Sequence, residues 1–89
     1  MDQNTLLRQQ ILLQLEAASP VYLSFDLIKM GLQLTGGQYL DWHIKKALMY
    51  LCDKQLIEHQ YHPLNHHDVR YRLNDKGQDF LDRARNPLR

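Results

Sequence analysis

Beyond Leu56 and Ile57 the apolar residues of this chain change their period. Before that point they recur every three or four positions, whereas in VRYRL the residues Val69, Tyr71 and Leu73 alternate with Arg70 and Arg72. A three-to-four-residue step buries one face of a helix, and a two-residue step buries one face of a strand. The chain must therefore combine helices in its first half with a strand pair later on. The turn-rich interval Pro63-Leu64-Asn65-His66-His67-Asp68 separates EHQYH from VRYRL, so the two runs read as a hairpin.

Three helices precede it. In TLLRQQILLQLEAA, Leu7, Ile11, Leu15 and Ala18 make one stripe, and Asn4 or Thr5 is placed to cap it. Leu6, Leu13 and Ala17 fall on nearly the opposite side, which predicts a helix buried on two faces. Ser19-Pro20 ends it, because proline disfavours helical geometry in the residue before it. After a short extended stretch, Val21-Tyr22-Leu23, Ser24 is a good N-cap for FDLIKMGLQL, in which Phe25, Ile28 and Leu32 share a face. Thr35-Gly36-Gly37-Gln38 then fits a capping box, which predicts a short turn into a third helix starting there. Leu40, Ile44, Ala47, Leu48 and Leu51 form its apolar stripe. Gln38, Trp42, Lys45, Lys46, Met49 and Asp53 lie on the other side, so the one tryptophan faces away from the expected core. A fourth helix, DKGQDFLDRAR, is capped by Asn74, with Phe80, Leu81 and Ala84 expected inward and Pro87 as its limit.

The order is helix, short strand, helix, turn, helix, hairpin, helix: an α+β domain over residues 1–85, with 86–89 as a tail. Eighty-nine residues support one core, and neither a repeat nor a linker divides them. One cysteine excludes an internal disulfide framework, and no apolar run has the length of a signal peptide or membrane span, so a soluble cytoplasmic protein is expected.

The run YLCDKQLIEHQYHPLNHHDVRYRLNDKGQDFL resembles the second half of a winged helix-turn-helix domain of the kind found in small bacterial and phage regulators. In that pattern the recognition helix ends in a leucine-rich turn and "KGLI", and an arginine-rich strand feeds a closing "KG" helix. Gln55 stands where that pattern has glycine, and Asn74 where it often has threonine. The resemblance implies a three-helix body with a hairpin wing, and double-stranded DNA as partner. The third helix would enter the major groove and the wing would lie along the backbone. Carried over by position, the groove-facing residues are Gln38, Asp41, Trp42, Lys45 and Lys46, with Arg70 and Arg72 as phosphate ligands of the wing.

The residues themselves leave other readings open. The formal net charge is only +1, whereas duplex binders draw most of their affinity from phosphate neutralisation. Asp41 equally suits an ion pair with Lys45 one turn on, with Lys45 and Lys46 forming a solvated face. Trp42 suits thymine methyls, a protein interface shared with Met49, or the edge of the core. The second stripe of the first helix is covered either by Phe80, Leu81 and Leu88 or by a second copy. In the latter case Leu6, Leu13, Ala17 and Leu88 mark a homodimer interface suited to a pseudo-palindromic site. A protein adaptor using the Trp42/Met49 face or helix one is the alternative function.

His59, His62, His66 and His67, beside Asp68, lack the spacing of known zinc motifs, and no metal or other cofactor is expected. Histidine ordinarily titrates near ~6.5. Protonating all five would raise the formal charge from +1 to +6, which favours polyanions as pH falls. There is no phosphate loop, nucleophile elbow or HExxH, and Cys52 reads as a core-edge residue before it reads as a nucleophile paired with His59; no enzyme is expected.

Overall fold

The computed structural model describes residues 2–86. It is an α+β domain of four helices and a three-stranded antiparallel sheet: α1 (Gln3–Ala18), β1 (Leu23–Ser24), α2 (Phe25–Leu34), α3 (Asp41–Asp53), β2 (Ile57–His62), β3 (Asn65–Leu73) and α4 (Asp75–Arg85). Pro87 and Leu88 lie outside the described residues. No helix among those described is long and apolar enough to cross a membrane.

Helix α1 begins before the expected cap. Asp2 supplies it, its Oδ1 accepting from the backbone N–H of Thr5 at 2.7 Å. Leu7, Ile11 and Leu15 are buried as their spacing predicts, and so is Leu12, which widens the buried stripe to one side. The expectation of a helix buried on two faces is corrected: Leu6, Leu13 and Ala17 are exposed. The closing helix does not reach them. It meets α1 through Glu16, which takes hydrogen bonds from Gln78 Nε2 (2.6 Å) and Arg85 Nη1 (2.9 Å).

Helix α2 carries the expected cap, Ser24 Oγ accepting from Leu27 N–H at 3.3 Å. Its far end overturns the capping-box reading. Thr35 terminates α2, and its hydroxyl donates to the carbonyl of Leu32. Gly36 takes a φ of +87°, Gly37 N–H bonds Leu32 O, and Gly36 N–H bonds Gln33 O. These two crossed bonds close a helix with its glycine in the left-handed region, which glycine enters without a Cβ clash. The Gly-Gly signal is thus a stop, and α3 starts only at Asp41, six residues after Thr35.

The shift accounts for Leu40. Expected in the apolar stripe, it sits instead ahead of the helix in extended conformation, makes no side-chain cap bond and is 60% exposed. Ile44, Ala47, Leu48 and Leu51 then enter the core as their spacing requires. The same type of stop ends α3. Leu56 N–H bonds Leu51 O and Gln55 N–H bonds Cys52 O, with Gln55 at a φ of +60° in the position where the resembled pattern has glycine.

Strand β3 is the middle of the sheet, which runs β1-β3-β2. Leu23 pairs with Tyr71 on one side; Ile57 with Leu73 and Glu58 with Arg72 on the other. The expected short strand is thus the third strand of the sheet, over Leu23–Ser24 instead of Val21–Leu23. The hairpin loop is narrower than the turn-rich interval suggests, since β3 begins at Asn65. The register shifts between Tyr61 and His62, and His66, His67 and Asp68 have no partner across the ladder. This irregularity is what gives the segment its turn-like composition.

Asn74 caps α4 as expected, Oδ1 accepting from Gly77 N–H at 2.8 Å, while its Nδ2 donates to Gln55 O at 2.7 Å. A Cβ on Gly77 would meet the carbonyl oxygen of Leu56 at 2.1 Å, so only glycine lets α4 lie this close to the sheet. Leu81, one turn on, is buried. Phe80 and Ala84, expected inward, are exposed, because the face that Gly77 and Leu81 bury leaves them at its border.

Candidate nucleic-acid interface

The exposed side of α3 carries Trp42, Lys45, Lys46 and Met49, as the helical wheel requires. Trp42 is 57% and Met49 66% exposed. The indole stacks on the neighbouring His43 ring at a centroid distance of 3.8 Å with planes inclined by 33°. The stacking steadies one ring face of a side chain that the core does not hold. Lys46, Trp42 and His43 flank a small cavity that reaches Arg8 and Asn4 on α1.

Two residues expected on this surface occupy other roles. Gln38 lies in the connection before α3, exposed but off the helix. Asp41 is the first helical residue and binds Lys29 of α2, Oδ1 to Nζ at 2.7 Å, instead of Lys45. The ion pair ties α2 to the positive end of α3 and leaves the Lys45 ammonium free of that carboxylate. Lys45 Nζ stands 5.4 Å from the centre of the Phe25 ring.

The two hairpin arginines also differ from each other. Arg72 Nε donates to Glu58 Oε2 at 2.8 Å across the strand pair, and its guanidinium lies 4.8 Å from the Tyr22 ring centre. The Glu58 hydrogen bond pushes its pKa further up. Arg70 has only a long contact with Asp68, Nη2 to Oδ2 at 3.4 Å, and half of its side chain is exposed. Arg70 and Lys45 line one cavity of about 510 Å³, together with Ser24 and Phe25 at the start of α2, His67 and the carboxylates Asp26 and Asp68. Residues from the third helix and the hairpin thus converge on a single cleft of mixed charge.

The histidines do not gather. His59 pairs with Tyr71 in the ladder and its ring meets Tyr61 edge-on at 5.6 Å, while His62 Nδ1 accepts from Leu64 N–H at 3.1 Å. Among the described residues no three His, Cys, Asp or Glu side chains converge as metal ligands. Cys52 packs against the core; burial, with a smaller effect from Asp53, pushes its thiol up, away from the thiolate a nucleophile needs.

Of the proposed dimer residues, Leu6, Leu13 and Ala17 share the exposed side of α1, and Leu88 lies outside the described residues. Lys29 was missed by sequence reasoning because its partner is on another helix and no local spacing signals such a contact. Comparison of the chain with protein-family models, curated proteins and solved structures gave no match.

Proposed function

We propose that this chain is a winged helix-turn-helix domain that binds double-stranded DNA as a small transcriptional regulator. In this reading α2 and α3 are the helix-turn-helix, α3 enters the major groove by its exposed face, and the β2–β3 hairpin is the wing. What supports it most is the cleft where Lys45 of α3 and Arg70 of the hairpin meet, since a duplex docked on α3 brings its backbone to the wing. Lys46 and Arg70 are the phosphate ligands, and Lys45 reads a guanine edge or a phosphate. Trp42 presses on sugars or thymine methyls. Gln38 and Arg72 contribute less, one off the helix and the other held by Glu58.

A second reading is favoured by one observation: Trp42 and Met49 form an exposed apolar pair on a nearly neutral domain. Such a face suits a protein partner, with the indole as anchor. A gel shift with random-sequence duplex separates the two readings. On the DNA reading, Lys45→Ala/Lys46→Ala lowers affinity by roughly a hundredfold, about 1.4 kcal/mol per lysine, and Trp42→Ala by less. If the double variant binds like the parent chain, the DNA reading of α3 fails.

A further inference from the structure

A second groove, sharing no residue with the Lys45/Arg70 cleft, runs between α1, the C-terminal half of α3 and α4. We infer that it binds a carboxylate bearing an aliphatic chain, a free medium-chain fatty acid in its anionic form. Its volume is about 510 Å³, within the ~300–1,000 Å³ of small-molecule sites.

The floor is made of core leucines, Leu12, Leu51, Leu56 and Leu81. Phe80 walls it with half of its side chain exposed, and the small side chain of Ala84 leaves the opening clear. An aromatic ring kept wet beside an apolar floor is stabilised when an apolar body displaces the water between them.

The rim has the opposite character. Arg8, Lys54 and Lys76, from α1, the end of α3 and α4, line the groove, and no aspartate or glutamate does. In a chain of 11 basic and 10 acidic residues, three cations without a carboxylate along one apolar groove is an uneven distribution of charge. The ion pairs among the described residues engage Lys29, Arg70, Arg72 and Arg85 and none of these three cations. Arg8 lies instead 3.6 Å from the centre of the Tyr50 ring, with Lys54 Nζ 5.5 Å from the same ring. Contact with an aromatic face positions a cation without neutralising it.

An apolar trough whose rim cations are held in no ion pair among the described residues calls for a ligand with an apolar body and a negative charge. A neutral lipid leaves the cations unanswered, and a compact polyanion leaves the leucine floor unfilled. A chain with a single terminal carboxylate satisfies both, its head held by charge-assisted hydrogen bonds.

The test uses the full chain labelled with ¹⁵N and decanoate as the probe, kept below its micellar concentration. Saturable shifts are expected at the amides of Leu12, Tyr50, Lys54 and Phe80, with decanol binding at least about tenfold more weakly. Lys54→Gln/Lys76→Gln should weaken decanoate by about tenfold and leave decanol unchanged. Ala84→Trp, which fills the opening from an exposed position, should abolish the shifts while an unchanged circular dichroism spectrum reports an intact fold. Equal binding of decanol and decanoate overturns the inference, as do shifts confined to Trp42 and the hairpin. So does a groove that ignores decanoate yet responds to an acidic amphipathic peptide or to anionic phospholipid vesicles.

Discussion

Gln55 shows how much one backbone angle decides. It sits at a φ of +60°, where its Cβ crowds the backbone at a cost of roughly 1–2 kcal/mol relative to glycine. Its side chain is exposed, and its useful contact, the carbonyl that receives Asn74 Nδ2, belongs to the backbone. Gln55→Gly should therefore raise stability by about 0.5–1 kcal/mol after glycine's larger unfolded-state entropy is subtracted. Chemical denaturation checks this, and a lower midpoint for the variant contradicts it. The position was legible from sequence because the leucine-rich turn around it has a recognisable pattern. Thr35-Gly36-Gly37 was not, because threonine and glycine serve a helix start or a helix stop equally well and only the register of α2 decides between them. Leu40 was misplaced for the same reason, and Asp41 lost its expected partner to Lys29 across the helix pair.

At the scale of elements, local rules located β3, through the alternation along VRYRL, and α4, through its Asn74 cap, but missed the start of β3 at Asn65 and the exposure of Phe80 and Ala84. What local rules could not supply is which elements meet. The pairing of β1 with β3 and the contact of α4 with only one side of α1 are long-range outcomes. The α1–α4 contact makes a specific claim about acid. Hydrogen bonds from Arg85 and then Gln78 hold the Glu16 carboxyl below the usual glutamate range. A carboxyl whose folded pKa lies below its unfolded value favours the fold at pH above the unfolded value, ~4.3, and this contribution disappears as pH falls through the folded value. Thermal melts from pH 7 to 3 should show the parent chain losing this advantage over Glu16→Gln below about pH 4.3. A difference between the two chains that stays constant across that window contradicts the assignment.

For the whole molecule, the exposed Leu6, Leu13 and Ala17 bear on assembly. On the proposed DNA reading, a twofold dimer through this face of α1 would present two copies of α3 to a pseudo-palindromic site and multiply the modest contacts of each. Light scattering should give twice the chain mass at high concentration, reverting to the single mass in Leu13→Asp; a monomer throughout rejects the dimer. The near-neutral charge sharpens the central claim, because affinity for DNA must come from a few cations placed on one surface and not from a general positive field. The decisive measurement is the affinity of the intact chain for a random-sequence duplex across a series of salt concentrations. With Lys45, Lys46 and Arg70 on phosphates, log K should fall linearly with log salt with a slope of roughly −2 to −3 per chain bound. Binding that is absent at low salt, or that does not change with salt, would contradict a groove-reading α3 and leave the Trp42/Met49 face to a protein partner.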